Sequence, residues 1–182
     1  MSRLNVCVYC GSSKGDAPEF AEMAELLGRT FAQNDIGLVY GGGGIGLMGI
    51  CARTAMAEGG HVTGIIPDFL QTKEIAYDGV SELVVVSSMH ERKQQMFDRA
   101  DAFLALPGGI GTLEEVIEML TWAQLGRHNR PIVLLNMNGF WDPLISLFDH
   151  MIDQGFVQSA IRGQYAVVDR VDDVLPRIEA AL

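Results

Sequence analysis

Seven short apolar segments, each followed by a stretch with helical spacing, predict an α/β protein with a Rossmann-like, doubly wound, mostly parallel sheet of about seven strands and helices on both faces. Two further observations point the same way. The segments lack the polar alternation of a half-solvated strand, so both of their faces must be covered. Glycine-rich turns follow the first, second and fifth segments directly, as they do at the strand ends of open α/β sheets.

The elements follow in order. Residues 4–9 read as a buried strand, turned by Gly11, Ser12 and Ser13, and Asp16 is the expected cap of a helix whose Phe20, Ala24, Leu27 and Phe31 share one face. Residues 36–40 form the second strand, and Gly41, Gly42, Gly43 and Gly44 follow at once. Helical spacing returns at Leu47, Ile50 and Cys51 and stops at Gly59 and Gly60. Residues 61–66 are the third strand, closed by Pro67; residues 68–79 have no periodicity and read as a loop. Residues 83–86 are the fourth strand. Ser88 and Glu91 have capping-box spacing and predict a helix over 89–99. Residues 102–106 are the fifth strand, broken by Pro107, Gly108 and Gly109, and the next helix carries Leu113, Val116, Ile117 and Leu120 on one side. Residues 132–135, a helix over 142–152, residues 166–168 and a last helix lined by Val171, Val174, Leu175, Ile178 and Leu182 complete the chain as one nucleotide-binding domain over residues 1–182.

Composition narrows the function. Thirteen Lys and Arg against 23 Asp and Glu give a net charge of -10, which argues against nucleic acid or an anionic membrane as a partner held by bulk charge. Three cysteines do not make a disulfide framework, and no apolar run approaches the roughly 18 residues of a membrane span. The first eleven residues read as a strand rather than a signal peptide, so the expected compartment is the cytoplasm. Cys7 and Cys10 have redox-motif spacing but lie in and at the end of a strand, where no helix start would favour a thiolate. The four histidines lack metal-ligand spacing.

Ligands in such sheets bind outside the carboxyl ends of the strands. The three glycine turns would bring backbone N–H groups and helix N-termini to that edge, a cradle for phosphate. No P-loop motif is present. Gly42 and Gly44 begin a dinucleotide fingerprint, but Leu47 stands where its third glycine belongs and Asp68 is a poor ribose acid, so hydride transfer is disfavoured. Arg92 and Lys93 open a helix after the fourth strand as adjacent cations; Thr112 and Glu115 follow the last glycine turn. Arg offers a planar fork to phosphate or hydroxyls and Lys a point charge. The same side chains have plainer uses: Arg92 and Lys93 as a solvated helix face, and Thr112 with Glu115 as a capping box.

The segment from Pro107 to Glu115 resembles the P-G-G-x-G-T-x-x-E signature of the LOG family, cytokinin riboside 5'-monophosphate phosphoribohydrolases once labelled lysine decarboxylases. The similarity extends to Cys10-Gly11-Ser12-Ser13, Tyr40-Gly41-Gly42-Gly43, Met89-His90-Glu91-Arg92-Lys93 and Thr121-Trp122-Ala123-Gln124-Leu125-Gly126, in order along nearly the whole chain. The resemblance implies hydrolysis of the N-glycosidic bond of a nucleoside 5'-monophosphate, giving free base and ribose 5-phosphate. It implies catalytic roles for Arg92 and Glu115 and substrate contacts from Glu74, Lys93, Gly108, Gly109, Gly111, Thr112, Glu114 and Thr121. Gly11, Ser12, Gly42, Gly43, Met89 and Pro107 join them as expected substrate-binding positions. It implies no metal and no organic cofactor, and a homodimer with the site near the subunit boundary.

The chemistry fits those residue types. Breaking a C–N glycosidic bond builds positive charge on the ribose, which a carboxylate stabilises while it orients or deprotonates water; Glu115 takes that role. Arg92 either hydrogen-bonds the departing base or holds the ribose hydroxyls. AMP and a cytokinin nucleotide are equally reasonable substrates, with Met89, Met96, Trp122 and Phe140 as candidates to line an apolar base pocket. The rival reading is a nucleotide or molybdenum-cofactor carrier on the same fold without turnover; having both Arg92 and Glu115 favours the enzyme. The old decarboxylase label would need a PLP lysine, and Lys14, Lys73 and Lys93 are the only lysines.

Overall fold

A computed structural model describes residues 3–182; of the opening stretch, Met1 and Ser2 lie outside the described residues. Seven strands form one sheet in the order β4-β3-β2-β1-β5-β6-β7, and every pairing is parallel. They are β1 (Asn5–Tyr9), β2 (Gly37–Tyr40), β3 (Val62–Pro67), β4 (Glu82–Val86), β5 (Ala102–Ala105), β6 (Ile132–Leu135) and β7 (Ala166–Val168). The helices are α1 (Pro18–Gln33), α2 (Gly46–Ala57), α3 (Met89–Asp98), α4 (Ile110–Gln124), α5 (Asp142–Asp153) and α6 (Val174–Glu179).

Strand pleat divides the core in two. In β1, Val6 and Val8 point to a cluster with Leu27 and Phe31 of α1, Leu47 and Ala52 of α2, and Ile178 of α6. Cys7 and Tyr9 point the other way, to Met96 of α3, Val116 and Met119 of α4, and Phe148 of α5. Both faces are therefore covered, as the uninterrupted apolar segments require. Gly28 lets α1 press on α2: a Cβ there would stand 2.5 Å from the Cys51 carbonyl oxygen and 3.0 Å from the Ala55 nitrogen.

The local signals were partly redirected. The N-cap of α1 is Ala17, not Asp16, and Pro18 starts the helix because its missing N–H has no partner to lose there. Pro67 ends β3 as its last residue. Ser88 caps α3 by accepting from the Glu91 N–H at 3.2 Å, but the Glu91 carboxylate turns to the Ser87 N–H and hydroxyl, both at 2.9 Å. Gly109 is the N-cap of α4, so Thr112 and Glu115 do not form the alternative capping box. The last predicted helix divides into a 3-10 turn over Val171–Asp173 and α6, and Leu182 is exposed. Residues 68–79 open with a 3-10 turn, Asp68–Leu70, and then run back across the second glycine turn through a bridge between Gly43 and Ala76.

The strand order reverses direction at β1. From there the chain winds outward through β2 to β4, then crosses to β5 on the other side. The crevice between the carboxyl ends of β1 and β5 is the topological switch point, where such sheets bind ligands.

Candidate active site

At the switch point the loops after β1 and β5 touch directly: the Gly11 N–H donates to the Pro107 carbonyl at 3.1 Å. The loop after β2 closes on them through Gly46, whose φ of +59° and crowding against the Ser12 main chain admit no side chain. A cavity of about 260 Å³ opens here, and Arg92, Glu74, Glu115 and Thr112 all contribute to its lining. A second, apolar hollow of about 200 Å³ shares Ser12 and Gly109 with it and adds Phe20, Leu47 and Phe140. A larger hollow, about 370 Å³, lies near the amino ends of β6 and β7 but gathers no acidic residue, so size alone does not mark the chemistry.

The start of α4 faces the cavity. Its first-turn N–H groups have no intrahelical acceptor, and Gly109 supplies no capping side chain. A Cβ on Gly109 or Gly111 would meet nothing within 4 Å, and neither glycine has positive φ. Nothing among the described residues demands glycine at these two positions. What they leave is open space in front of unpaired donors, the arrangement that lets an anion approach the main chain. Gly108 differs: a Cβ there would run into the Thr112 hydroxyl, which packs beneath the turn.

Arg92 is buried, and its guanidinium is held from three sides. Nε donates to the Ile65 carbonyl at 3.1 Å, and Nη2 donates to the Gly41 carbonyl at 2.7 Å and to Glu74 Oε2 at 3.2 Å. Among the described residues, Nη1 meets only the Met89 sulfur, at 3.9 Å. One edge of the fork is fixed in the protein and the other is left to the cavity. Gly41 is glycine because the guanidinium lies where its Cβ would be.

Glu115 faces the same cavity from α4. Burial, reinforced by the Glu114 and Glu74 carboxylates and opposed by Arg92 and Lys93, pushes its carboxyl up to about 7. An acid with that affinity exchanges its proton near neutrality, which suits a general base or acid.

Of the expected positions, Ser12, Glu74, Met89, Arg92, Gly109, Gly111, Thr112, Glu114 and Glu115 come together around the cavity. Gly11, Pro107 and Gly108 line the adjoining hollow. Gly42 and Gly43 line neither; the Gly42 carbonyl accepts from the Tyr77 N–H, and Gly43 pairs with Ala76. Lys93 turns to Glu114 and Glu118 on α4, and although partial burial pulls it down, these carboxylates hold its ammonium above the usual lysine range. Thr121 lies outside the cavity on an open groove of α4 and donates to the Ile117 carbonyl. Met96 lines the cavity and Phe140 the hollow, whereas Trp122 packs edge-on against Phe97. Tyr9, Met48 and Leu70 also line the cavity; the sequence offered no signal for them beyond their nearness to strand ends and the irregular loop. Cys7, Cys10 and Cys51 are buried free thiols, their pKa values raised by that burial.

Fold and topology define the class: a doubly wound α/β protein with its cavity at the switch point. A family model described as possible lysine decarboxylase matches residues 48–178. The probable cytokinin riboside 5'-monophosphate phosphoribohydrolase LOG4 of Oryza sativa subsp. japonica is 44% identical over 176 residues, 97% of this chain and 76% of that protein. The cytokinin riboside 5'-monophosphate phosphoribohydrolase LOG2 of Arabidopsis thaliana is 46% identical over 157 residues, 86% and 74% of the two chains. The chain belongs to this family, the LOG family of the possible lysine decarboxylase description. Among solved structures, the molybdenum cofactor carrier protein of Chlamydomonas reinhardtii superposes with a TM-score of 0.73 at 22% identity over the full length of both chains, a likeness of fold.

Proposed function

We propose that this protein is a phosphoribohydrolase that splits a nucleoside 5'-monophosphate into free base and ribose 5-phosphate, with residues 1–182 acting as one nucleotide-binding unit. The observation that carries the reading is Glu115, a half-buried carboxylate that lines the cavity together with Arg92, its pKa raised, beside the N–H groups that open α4. Its relatives at 44% and 46% identity are named for this reaction on cytokinin riboside 5'-monophosphates. AMP and N6-substituted AMP are the substrates we assign.

The 5'-phosphate docks on the N-terminus of α4, with Gly109, Gly111 and Thr112 around it. That anchor holds the sugar against Glu115 and Arg92, where orientation is worth several kcal/mol. As the C1'–N bond breaks, its electron pair leaves with the base and the ribose becomes cationic. Water delivers its oxygen to C1', and one of its protons passes to the Glu115 carboxylate and from there to the base nitrogen that took the electron pair, which frees the neutral base and restores the carboxylate. Arg92 presents Nη1 to the departing base or the ribose hydroxyls. The family's decarboxylase description finds no support in Lys93, whose ammonium is engaged by two carboxylates.

A second copy of the chain completes the site in this reading. Ile110 and Leu125 are 82% and 71% exposed, and with Leu113, Ile117 and Trp122 they give α4 an apolar face. Ile110 and Glu114 belong both to that groove and to the cavity, so a copy seated on α4 would wall the site. Thr121, outside its own chain's cavity, would lie at that boundary. The compartment we assign is the cytoplasm.

The test is chromatography of free base released from AMP, adenosine and N6-isopentenyl-AMP. Wild type should release base from one or both nucleotides and little from adenosine. Glu115→Gln should lose about 10²- to 10³-fold in turnover while still binding nucleotide. Equal use of adenosine and AMP would remove the phosphate anchor, and full turnover by Glu115→Gln would remove the carboxylate from the mechanism.

A further inference from the structure

Residues 68–79 form a strap across the second glycine turn, and its geometry is strained at one point. Ile75 has φ of +48°, a left-handed conformation that β-branched residues rarely adopt. That twist aims two successive carbonyls, Glu74 and Ile75, at a single donor, the Gly44 N–H, at 2.9 and 2.7 Å. The Glu74 N–H donates to the Leu70 carbonyl at 2.8 Å, and the Tyr77 N–H donates to the Gly42 carbonyl at 3.1 Å. The main chain on both sides of Glu74 is therefore fixed, and the Glu74 carboxylate emerges against Arg92 Nη2. Strain held at one exposed residue, beside a cavity, asks for a functional reason.

We propose that Glu74 is a positioning residue that acts through Arg92: the strap presses its carboxylate onto Nη2, completes the set of partners on one edge of the guanidinium, and leaves Nη1 turned to the substrate. The arrangement also takes up the buried arginine charge from the side opposite Nη1. This inference rests on the hydrolase reading above. Glu115 faces Arg92 and Lys93 from α3, Glu114 from its own helix, Glu74 from the strap, Cys7 and Tyr9 from β1, and Cys10 from the turn that follows it. Since the Glu74 charge opposes ionisation of Glu115, removing it makes Glu115 a stronger acid.

The experiment compares wild type with Glu74→Gln, Glu74→Asp and Glu74→Ala in the full chain, with folding checked by circular dichroism. For Glu74→Gln on AMP, kcat should fall about tenfold to hundredfold, while affinity for ribose 5-phosphate by calorimetry stays within about twofold. The midpoint of the ascending limb of kcat/KM against pH should drop by about half a unit or more in Glu74→Gln and stay in place in Glu74→Asp. Weakened ribose 5-phosphate binding with an unmoved midpoint would make Glu74 a substrate contact and overturn the proposal; so would wild-type kinetics. A readout independent of turnover separates this from the hydrolase reading. The Arg92 side-chain N–H resonances, assigned by their loss in Arg92→Lys, should be sharp in wild type and exchange-broadened in Glu74→Ala. Unchanged resonances overturn the positioning role even if the wild type is active, and broadened ones uphold it even if wild type cleaves no nucleotide.

Discussion

Glu115 is expensive to keep where it is. A carboxyl whose pKa rises from 4.5 to about 7 on folding binds its proton more tightly in the native chain than in the unfolded one. Below the unfolded value both states are protonated and nothing is lost. Between the two values the native state carries the extra proton, so stability declines as pH rises, and above about 7 the full penalty applies, on the order of 3 kcal/mol. Glu115→Gln removes the ionisation and keeps the shape. Its thermal unfolding midpoint should exceed that of wild type by several degrees at about pH 8 and match it only below the unfolded value, at about pH 4. A midpoint unchanged at both would mean the carboxyl ionises without penalty. The variant thus trades stability against turnover, as active-site groups commonly do. Arg92 was legible as a cation near a strand end; that its Nε and Nη2 would be spent on the Ile65 and Gly41 carbonyls was not, because carbonyl directions depend on how β2 and β3 pair.

Among the elements, the glycine turns show how one sequence pattern can serve two purposes. After β5 the glycines leave open space before α4, as a phosphate cradle requires. After β2 the run from Gly41 to Gly44 read the same way, yet its polar groups are occupied by Arg92, Tyr77 and the strap, and the Gly44 carbonyl accepts from Arg53 at 2.6 Å. The difference lies in a partner 30 residues further along the chain, and residues 68–79 have no periodicity by which to announce themselves. A methyl group at Gly44 would collide with the Ile75 carbonyl. Gly44→Ala should therefore displace the strap, cut turnover about tenfold or more, and expose residues 70–77 to faster amide exchange, while the sheet keeps its protection. Slow exchange throughout the strap in that variant would contradict the anchoring role.

At the scale of the whole molecule, topology assembles the site and an uncovered helix face asks for a partner. If a second copy seats on α4, Leu125→Asp should convert a dimer mass to a monomer mass by light scattering and lower turnover. A dimer that persists would point to another surface. The strands and helices were readable because apolar period and glycine punctuation are local properties, and each constrains its own few residues. The LOG signature was readable because its residues are contiguous. Which glycine turn feeds the cavity, which edge of Arg92 stays free, and that Glu74 meets it across the strap were decided by tertiary structure alone. Those facts depend on main-chain directions and on distances between segments far apart in sequence, and only the closure of the sheet brings such segments within hydrogen-bonding range.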